Sequence, residues 1–244
     1  MGVGVGCGVG FCAGAMETRV GEGCAGPGAA MARRIADAPY LKFRGLQAYH
    51  GRAQHLPTYQ ERAQAIAFAL DAVAETQRAL AGEKIACDII TGAGTGTFAI
   101  EAASGVYNEL QVGSYVFMDT DYARIGNKDG GRYTAFEHSL FVLATVISTP
   151  TAERAIVNAG LKSYSAEKGP PWVHGLDDVE VTNVSDEHGK LVLGPKAKRL
   201  TLGEKVWLIP GHCDPTVNLH DWYVGVRNGR VEALWPIAAR GASA

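Results

Sequence analysis

The sequence predicts an α/β part with a parallel sheet, followed by an antiparallel β domain. In residues 29–136, apolar strand patterns alternate with helical patterns and short links, which is typical of right-handed βαβ units. After Phe136 the pattern changes to short strands separated by turn residues, among them Asn228-Gly229, a strong hairpin signal. The length of 244 residues is enough for one large domain or two small ones.

The composition excludes several classes of protein. A net charge of -2 leaves no basic surplus for a nucleic-acid backbone, so no nucleic-acid partner is expected. No run approaches 18 uninterrupted apolar residues, so no membrane span is expected. The five cysteines are an odd number at irregular spacing without a CxxC motif, which argues against a disulfide framework and favours a cytoplasmic location.

Residues 1–28 differ from the rest of the chain. They hold ten of the glycines and three of the cysteines. Glycine loses the most backbone entropy on ordering and offers no side chain to pack. A disordered segment, a poorly packed strand and an altered start or reading frame all fit this composition, and we assign no chemistry to it.

The elements of the first part follow in order from about Ala29. A helix over 29–37 is ended by Pro39, and the segment 43–51 is predicted to be a strand ending in a loop. Thr58 and Glu61 form a capping box at the start of a long helix over 58–80. The remaining elements are a strand over 87–90, a short helix over 97–103 and a strand over 110–118.

The second part, 137–244, reads as a β domain. An apolar, β-branched run covers 138–148, and 151–159 is interpreted as a short helix or turn. Short strands are predicted over 179–184, 190–193, 205–209, 222–227 and 230–236.

The segment Thr91–Thr97, TGAGTGT, lies between a predicted strand and a predicted helix. Its glycines allow close backbone approach to an anion, and the N–H groups at a helix start carry partial positive charge. It lacks the lysine of a P-loop and does not match GxGxxG, so an ordinary nucleotide fold is disfavoured. A cofactor phosphate site and a plain flexible turn both remain open.

A second candidate is the segment PGHCDP, residues 210–215. In an extended chain, residues i and i+2 point to the same face, so His212 and Asp214 could hold one divalent ion while Cys213 faces away. Imidazole and carboxylate suit Zn²⁺ or Mn²⁺. Two ligands are too few alone, and a polar turn is the competing interpretation.

A third candidate lies at the predicted carboxyl end of the strand over 43–51, where barrel enzymes place their chemistry. Gln47 and Tyr49 share a face there, just before His50. Tyr49 could reach a cofactor ring or phosphate, and a partly buried structural tyrosine is the alternative.

Four motifs, GLQAYHG, TGAGTGT, ELQVGSYVFMDTDY and PGHCDPTVNLHD, occur in one order. Together they resemble the D-threonine aldolase and D-serine dehydratase group of pyridoxal-phosphate enzymes, with a likeness from about Ala29 to Gly241. The resemblance implies the C-terminal part of an alanine racemase-like (β/α)₈ barrel followed by an antiparallel β domain. It also implies the cofactor pyridoxal 5′-phosphate, a divalent metal (Mn, Zn or Mg), and a lyase that cleaves D-threonine or a related D-3-hydroxy amino acid to glycine and an aldehyde.

The resemblance assigns roles to individual residues. The cofactor phosphate would be held by Gly94, Thr95, Gly96 and Thr97. Tyr49 would line the cofactor site, with Gln47 a weaker assignment. The metal would be held by His212 and Asp214, near the β-hydroxyl of the substrate. Dehydratases of the group resemble HxC at this place and aldolases HxD, so the sequence favours the aldolase branch and Cys213 is not expected to be a ligand.

The chain also departs from the family pattern. Family members carry a Schiff-base lysine in a motif similar to RPHxK, and none of the nine lysines here has that context. No catalytic residue is therefore assigned. The expectation is an N-terminally truncated chain that is inactive alone. A D-serine dehydratase-type ammonia-lyase and a non-catalytic remnant remain alternatives, and a homodimer is compatible with all three.

Overall fold

The computed structural model describes residues 25–242. They form two compact units, each described here by itself. The first is the described part of Met1–Tyr115 with Arg124–Tyr133, and the second is Val116–Ala123 with the described part of Thr134–Ala244. Residues 1–24 of the predicted glycine-rich segment lie outside the described residues. Among residues 25–242, no helix combines the length and hydropathy that crossing a bilayer requires.

Two helices pack beside the sheet of the first unit. Helix α1, Ala25–Ala36, begins four residues earlier than predicted. Helix α2, Tyr59–Gly82, starts at the predicted capping box, where the Glu61 N–H donates to Thr58 Oγ1 at 3.2 Å and the Thr58 N–H donates to Glu61 Oε2 at 2.9 Å. A shared apolar core joins the helices to the sheet and includes Ala32, Ile35, Leu46, Val73 and Leu80.

The sheet of the first unit is parallel, as predicted. Its order is β1 (Gly45–Gln47), β2 (Ile89–Gly92) and β3 (Glu109–Leu110). Gln47 lies opposite Thr91, and Thr91 lies opposite Glu109. The carboxyl ends of the three strands therefore share one edge, the edge at which parallel sheets bind ligands.

Two predicted strands of the first unit are too long. The strand over 43–51 stops at Gln47, because after Ala48 donates to the Thr91 carbonyl the chain turns into a 3₁₀ helix, Gly51–His55. The strand over 110–118 was wrong beyond Leu110. A 3₁₀ turn, Ser114–Val116, follows, and the Tyr115 N–H donates to a threonine side chain instead of to a strand. Helix α3, Phe98–Ala103, starts one residue later than predicted.

The second unit confirms the antiparallel β domain. Six strands close into a barrel in the order β4-β5-β8-β7-β6-β9. They are β4 (Val142–Thr151), β5 (Arg154–Val157), β6 (Trp172–Val173), β7 (Val179–Val184), β8 (Gly189–Leu193) and β9 (Lys205–Ile209). The barrel interior is filled by fully buried Val146, Val157, Tyr164, Leu191 and Leu208.

A hairpin of β10 (Trp222–Arg227) and β11 (Arg230–Pro236) follows, with both strands at their predicted bounds. Asn228 and Gly229 have φ values of 50° and 73°. Positive φ at both central residues is the requirement of a type I′ turn, so the turn prediction is confirmed.

Two elements of the second unit differ from prediction. The helix or turn expected over 151–159 is the strand β5, since Arg154–Val157 pair with β8 and the alternate residues Ala155 and Val157 are buried in the barrel. The extended segment expected through residues 212–214 ends at His212, where a helix, α5 (Cys213–Val217), begins. A further short helix, α4 (Thr120–Ala123), also belongs to this unit.

Candidate functional site

The glycine–threonine turn follows β2 directly and leads into α3. Residues 92–97 are all buried. Ala93 has φ 64°, a left-handed conformation that is unfavourable for a residue with a Cβ. Such strain persists only where surrounding contacts over-determine the backbone, and it is concentrated at functional sites.

Both central glycines of the turn are required by Gln54 in the 3₁₀ helix. A Cβ at Gly94 would lie 2.6 Å from Gln54 Oε1, and a Cβ at Gly96 would lie 2.1 Å from the Gln54 carbonyl oxygen. A Cβ at Gly96 would meet backbone, which cannot swing aside as a flexible side chain can. The glycines therefore allow the turn to pack tightly against Gln54.

A chain of hydrogen bonds fixes this packing. The Gly96 N–H donates to Gln54 Oε1 at 3.1 Å, and Gln54 Nε2 donates to Thr97 Oγ1 at 2.8 Å. The Thr97 hydroxyl then donates to Glu101 Oε1 at 2.8 Å. Gly96 and Thr97 were predicted to hold phosphate. The Gly96 N–H and the Thr97 hydroxyl group instead make hydrogen bonds within the protein, and these bonds position the turn.

Thr95 is the residue of the turn whose hydrogen-bond donors are not used within the described part of the protein. Its Oγ1 accepts the Tyr115 N–H at 3.0 Å, and its carbonyl accepts the Tyr133 hydroxyl at 2.6 Å. Within residues 25–242, neither the Thr95 N–H nor the Gly94 N–H donates a hydrogen bond. Buried donors without partners are costly. These two N–H groups and the Thr95 hydroxyl hydrogen fit a phosphate group, whose oxygens accept such bonds.

Burial sets the electrostatics around the turn. Glu101 is fully buried, and burial raises the pKa of its carboxyl group, while the hydrogen bond from Thr97 opposes that shift. Glu101 Oε2 has no partner among the described residues. Burial also raises the pKa of Tyr133 to about 12, so its hydroxyl stays a donor to Thr95.

The predicted Gln47–Tyr49 face lies on the same sheet edge as the turn. Gln47 is exposed, and its Nε2 donates to Gln111 Oε1 at 3.3 Å. Tyr49 is half-buried, with its ring next to Gly51. Burial lowers the pKa of the neighbouring His50, and its buried Nδ1 has no partner in the described part of the chain.

The predicted metal pair lies in the second unit, where β9 leads into α5. His212 is extended, with φ -146° and ψ 124°, and is the residue before the helix. His212 Nε2 lies 3.8 Å from Asp214 Oδ2. Ligands bound at 2.0–2.2 Å in a tetrahedral site are separated by about 3.4 Å. The two atoms are thus close to the separation that one ion requires.

Glu167 orients the imidazole of His212, a role that was not predicted from the sequence. Its Oε1 lies 2.5 Å from His212 Nδ1. A carboxylate acceptor beside Nδ1 favours the tautomer with its proton on that nitrogen, which leaves Nε2 able to bind an ion, the usual arrangement around a metal-binding histidine. Glu167 is 45 positions from His212 in a loop before β6, and no local pattern marks it.

The middle residue of the motif is turned inward. Cys213 is fully buried, whereas the Asp214 side chain is 72% exposed. Cys213 Sγ lies 3.2 Å from Asp214 Oδ1, the carboxylate oxygen nearer to the thiol. Within residues 25–242 no group of three or more His, Cys, Asp or Glu side chains is arranged to hold a metal. The pair would therefore need further ligands from substrate or water.

The fold and these features define a class. A parallel sheet followed along the chain by a six-stranded antiparallel β barrel is the fold that this chain shares with solved alanine racemases. A solved alanine racemase from Clostridium difficile, 10% identical, has the same fold, with a TM-score of 0.57 over 91% of this chain. The predicted fold class is confirmed.

Sequence comparisons then identify relatives of this chain. Residues 139–226 match the family described as "Putative serine dehydratase domain". The 3-hydroxy-D-aspartate aldolase of Paracoccus denitrificans is 45% identical over 96% of this chain and 59% of its own length. The D-threonine aldolase of an Arthrobacter species is 48% identical over 93% of this chain and 61% of its own length.

A solved relative agrees with the sequence comparisons. The D-threonine aldolase from Filomicrobium marinum is 42% identical, with a TM-score of 0.81, over 91% of this chain and 58% of its own. The chain is thus a relative of the D-threonine aldolase and D-serine dehydratase-like proteins, as its motifs predicted. It spans about three fifths of the length of the relatives it matches.

Proposed function

We propose that this chain carries the phosphate-binding turn and the metal-binding pair of a lyase that depends on pyridoxal phosphate and a divalent metal. The substrate is D-threonine or a related D-3-hydroxy amino acid, and the products are glycine and an aldehyde. The names of the relatives support this substrate class. The observation that carries the proposal is the approach of His212 Nε2 to Asp214 Oδ2, with Glu167 at the opposite ring nitrogen.

The phosphate end of the cofactor is assigned to the turn after β2. The N–H groups of Gly94 and Thr95 and the Thr95 hydroxyl would hold the phosphate, while Gly96 and Thr97 keep the turn in shape through Gln54. Tyr49 would line the cofactor site from the same sheet edge. Pyridoxal phosphate, when bound, supplies an electron sink for cleavage of the Cα–Cβ bond.

The metal end is assigned to His212 and Asp214. A divalent ion, when bound there, supplies a Lewis acid that lowers the pKa of the substrate β-hydroxyl. A neutral imidazole and a carboxylate suit Mn²⁺ or Zn²⁺, and Mg²⁺ would need more oxygen ligands from water and substrate. The carboxylate at position 214, where the dehydratase pattern has a thiolate, supports aldol cleavage over dehydration.

Two alternatives have support of their own. The family description over residues 139–226 favours a dehydratase, which would release ammonia and a 2-oxo acid. The lack of a lysine in the expected context favours a non-catalytic chain. We further propose a cytoplasmic location, supported by the odd number and irregular spacing of the cysteines.

Product analysis separates the three functions. The chain is incubated with D-threonine, pyridoxal phosphate and MnCl₂, with L-threonine as the substrate control. A lyase of the proposed kind gives glycine and acetaldehyde in equal amounts from the D isomer, loses both in Asp214→Ala and retains them in Cys213→Ser. These products would overturn the expectation that the chain is inactive alone. Ammonia with 2-oxobutanoate would instead identify a dehydratase. Absence of all four products would overturn the catalytic proposal.

A further inference from the structure

Asp119 is a buried carboxylate of the second unit that the proposed function does not use. Its side chain is fully buried. Oδ1 accepts the N–H of Tyr122 at 3.0 Å, and Oδ2 accepts the N–H of Cys213 at 2.9 Å. The second bond spans 94 positions of sequence. One carboxylate therefore joins two segments that are far apart in the chain.

The first bond is an ordinary helix cap. Asp119 precedes α4, and a side-chain oxygen that accepts the N–H of the third helical residue is typical of an N-cap aspartate. That bond alone would explain an aspartate here. Serine could accept the same hydrogen bond equally well, because its hydroxyl oxygen caps helices with similar strength.

The second bond has no such local explanation. Cys213 is the first residue of α5, and the residue before it, His212, makes no capping bond with its own side chain in the described structure. Asp119 supplies the missing acceptor from another segment. The adjacent Thr120 N–H donates to the Pro210 carbonyl at 3.0 Å, so two bonds tie residues 119–120 to the chain on both sides of His212.

We propose that Asp119 is a positioning residue for the His212–Asp214 pair. Cys213 is the residue between the two proposed ligands, and its N–H donates at 2.9 Å to a fully buried carboxylate that also accepts a second hydrogen bond. That bond fixes the turn from extended His212 into α5, and the turn sets how closely the two side chains approach. The inference rests on the proposed metal-binding function.

Only a carboxylate satisfies both bonds. Asparagine offers one acceptor oxygen and one NH₂ group, so one of the two backbone N–H groups would meet a donor. Serine at position 119 keeps the cap of α4 and is too short to reach Cys213 as well. The variant Asp119→Ser therefore separates helix capping from positioning, and Asp119→Asn provides a second test.

The experiment measures Mn²⁺ affinity by isothermal titration and exchange of the Cys213 amide hydrogen by NMR. In Asp119→Ser we expect cooperative unfolding as in the wild type, Mn²⁺ affinity lower by about tenfold or more, and faster exchange at Cys213. The matched control is Asp178→Asn, since Asp178 Oδ2 accepts a backbone N–H from Lys196 in the same unit. It should bind Mn²⁺ as the wild type does.

The outcomes for Asp119 and for the proposed function differ. Wild-type Mn²⁺ affinity with unchanged Cys213 exchange in Asp119→Ser would overturn the positioning role and leave the proposed function standing. A wild-type chain that binds no Mn²⁺ would overturn the metal function. Faster exchange of the Cys213 amide hydrogen in Asp119→Ser would in that case still support the conclusion that Asp119 stabilises the start of α5. If Asp119→Ser does not fold, Asp119→Asn decides by the same two readouts.

Discussion

His212 Nε2 faces Asp214 Oδ2 at 3.8 Å although the chain between these residues is not extended. His212 ends a β-like segment, and Asp214 lies in the first turn of α5. The helix start brings the two side chains together while burying Cys213 between them. The HxD spacing therefore predicted correctly that the His212 and Asp214 side chains are neighbours. The extended conformation on which that prediction depended was wrong.

Glu167 should strengthen metal binding through His212. Glu167→Ala removes the acceptor at Nδ1, frees the imidazole to change tautomer, and should lower Mn²⁺ affinity by about tenfold to hundredfold in isothermal titration. Glu167→Gln keeps an acceptor oxygen and should lose less. Glu187→Ala is the control, since Glu187 pairs with Lys162 at 2.7 Å on the surface of the same unit. Equal affinity in Glu167→Ala and the wild type would refute this role.

Glu101 should make stability depend on pH. Burial raises the pKa of its carboxyl group in the folded chain. The folded state therefore binds this proton more tightly than the unfolded state does. The contribution of the protonated carboxyl group to the free energy of unfolding is complete below the unfolded pKa of about 4.3 and is lost as the pH rises through the folded value. Glu101→Gln has no ionisable carboxyl group at this position, so this loss of stability at higher pH should not occur in the variant.

Urea unfolding at several pH values tests this. Glu101→Gln should match the wild type near pH 4 and become more stable than it as the pH is raised to 8. Glu75→Gln, at an exposed position of α2, should show no such divergence. A difference between Glu101→Gln and the wild type that does not vary with pH would mean that Glu101 titrates normally.

Gly96→Ala tests the packing of the turn against Gln54. The new Cβ would lie 2.1 Å from a backbone oxygen, so the turn or the 3₁₀ helix must shift. We expect the free energy of unfolding to fall by about 2 kcal/mol. Gly82→Ala is the matched control at the end of α2, where a Cβ meets nothing within 4 Å and alanine should be neutral or stabilising. Equal stability of the two variants would contradict the packing described.

Local signals in the sequence predicted local structure well. The capping box of Thr58 and Glu61 and the turn of Asn228 and Gly229 depend on residues at most three positions apart, and both are present. The parallel order of β1, β2 and β3 also followed from the alternation of patterns. In the first unit the strand ends were predicted less well, because the end of β1 depends on how far the distant β2 provides carbonyl groups that accept its hydrogen bonds.

The supporting residues of both sites could not be predicted. Gln54 is 43 positions from Thr97, Glu167 is 45 from His212, and Asp119 is 94 from Cys213. A single sequence contains periodicity and spacing, and neither encodes a contact of this range. The motifs therefore named the residues that would touch a ligand, while the fold supplied the residues that hold them in place.

The most direct test of the account is Mn²⁺ binding by the His212–Asp214 pair, measured by electron paramagnetic resonance of the free ion during titration of the full chain. We predict one site in the wild type, lost in both His212→Ala and Asp214→Ala and retained in Cys213→Ser. Equal loss in all three variants, or a site that survives both alanine substitutions, would contradict the account.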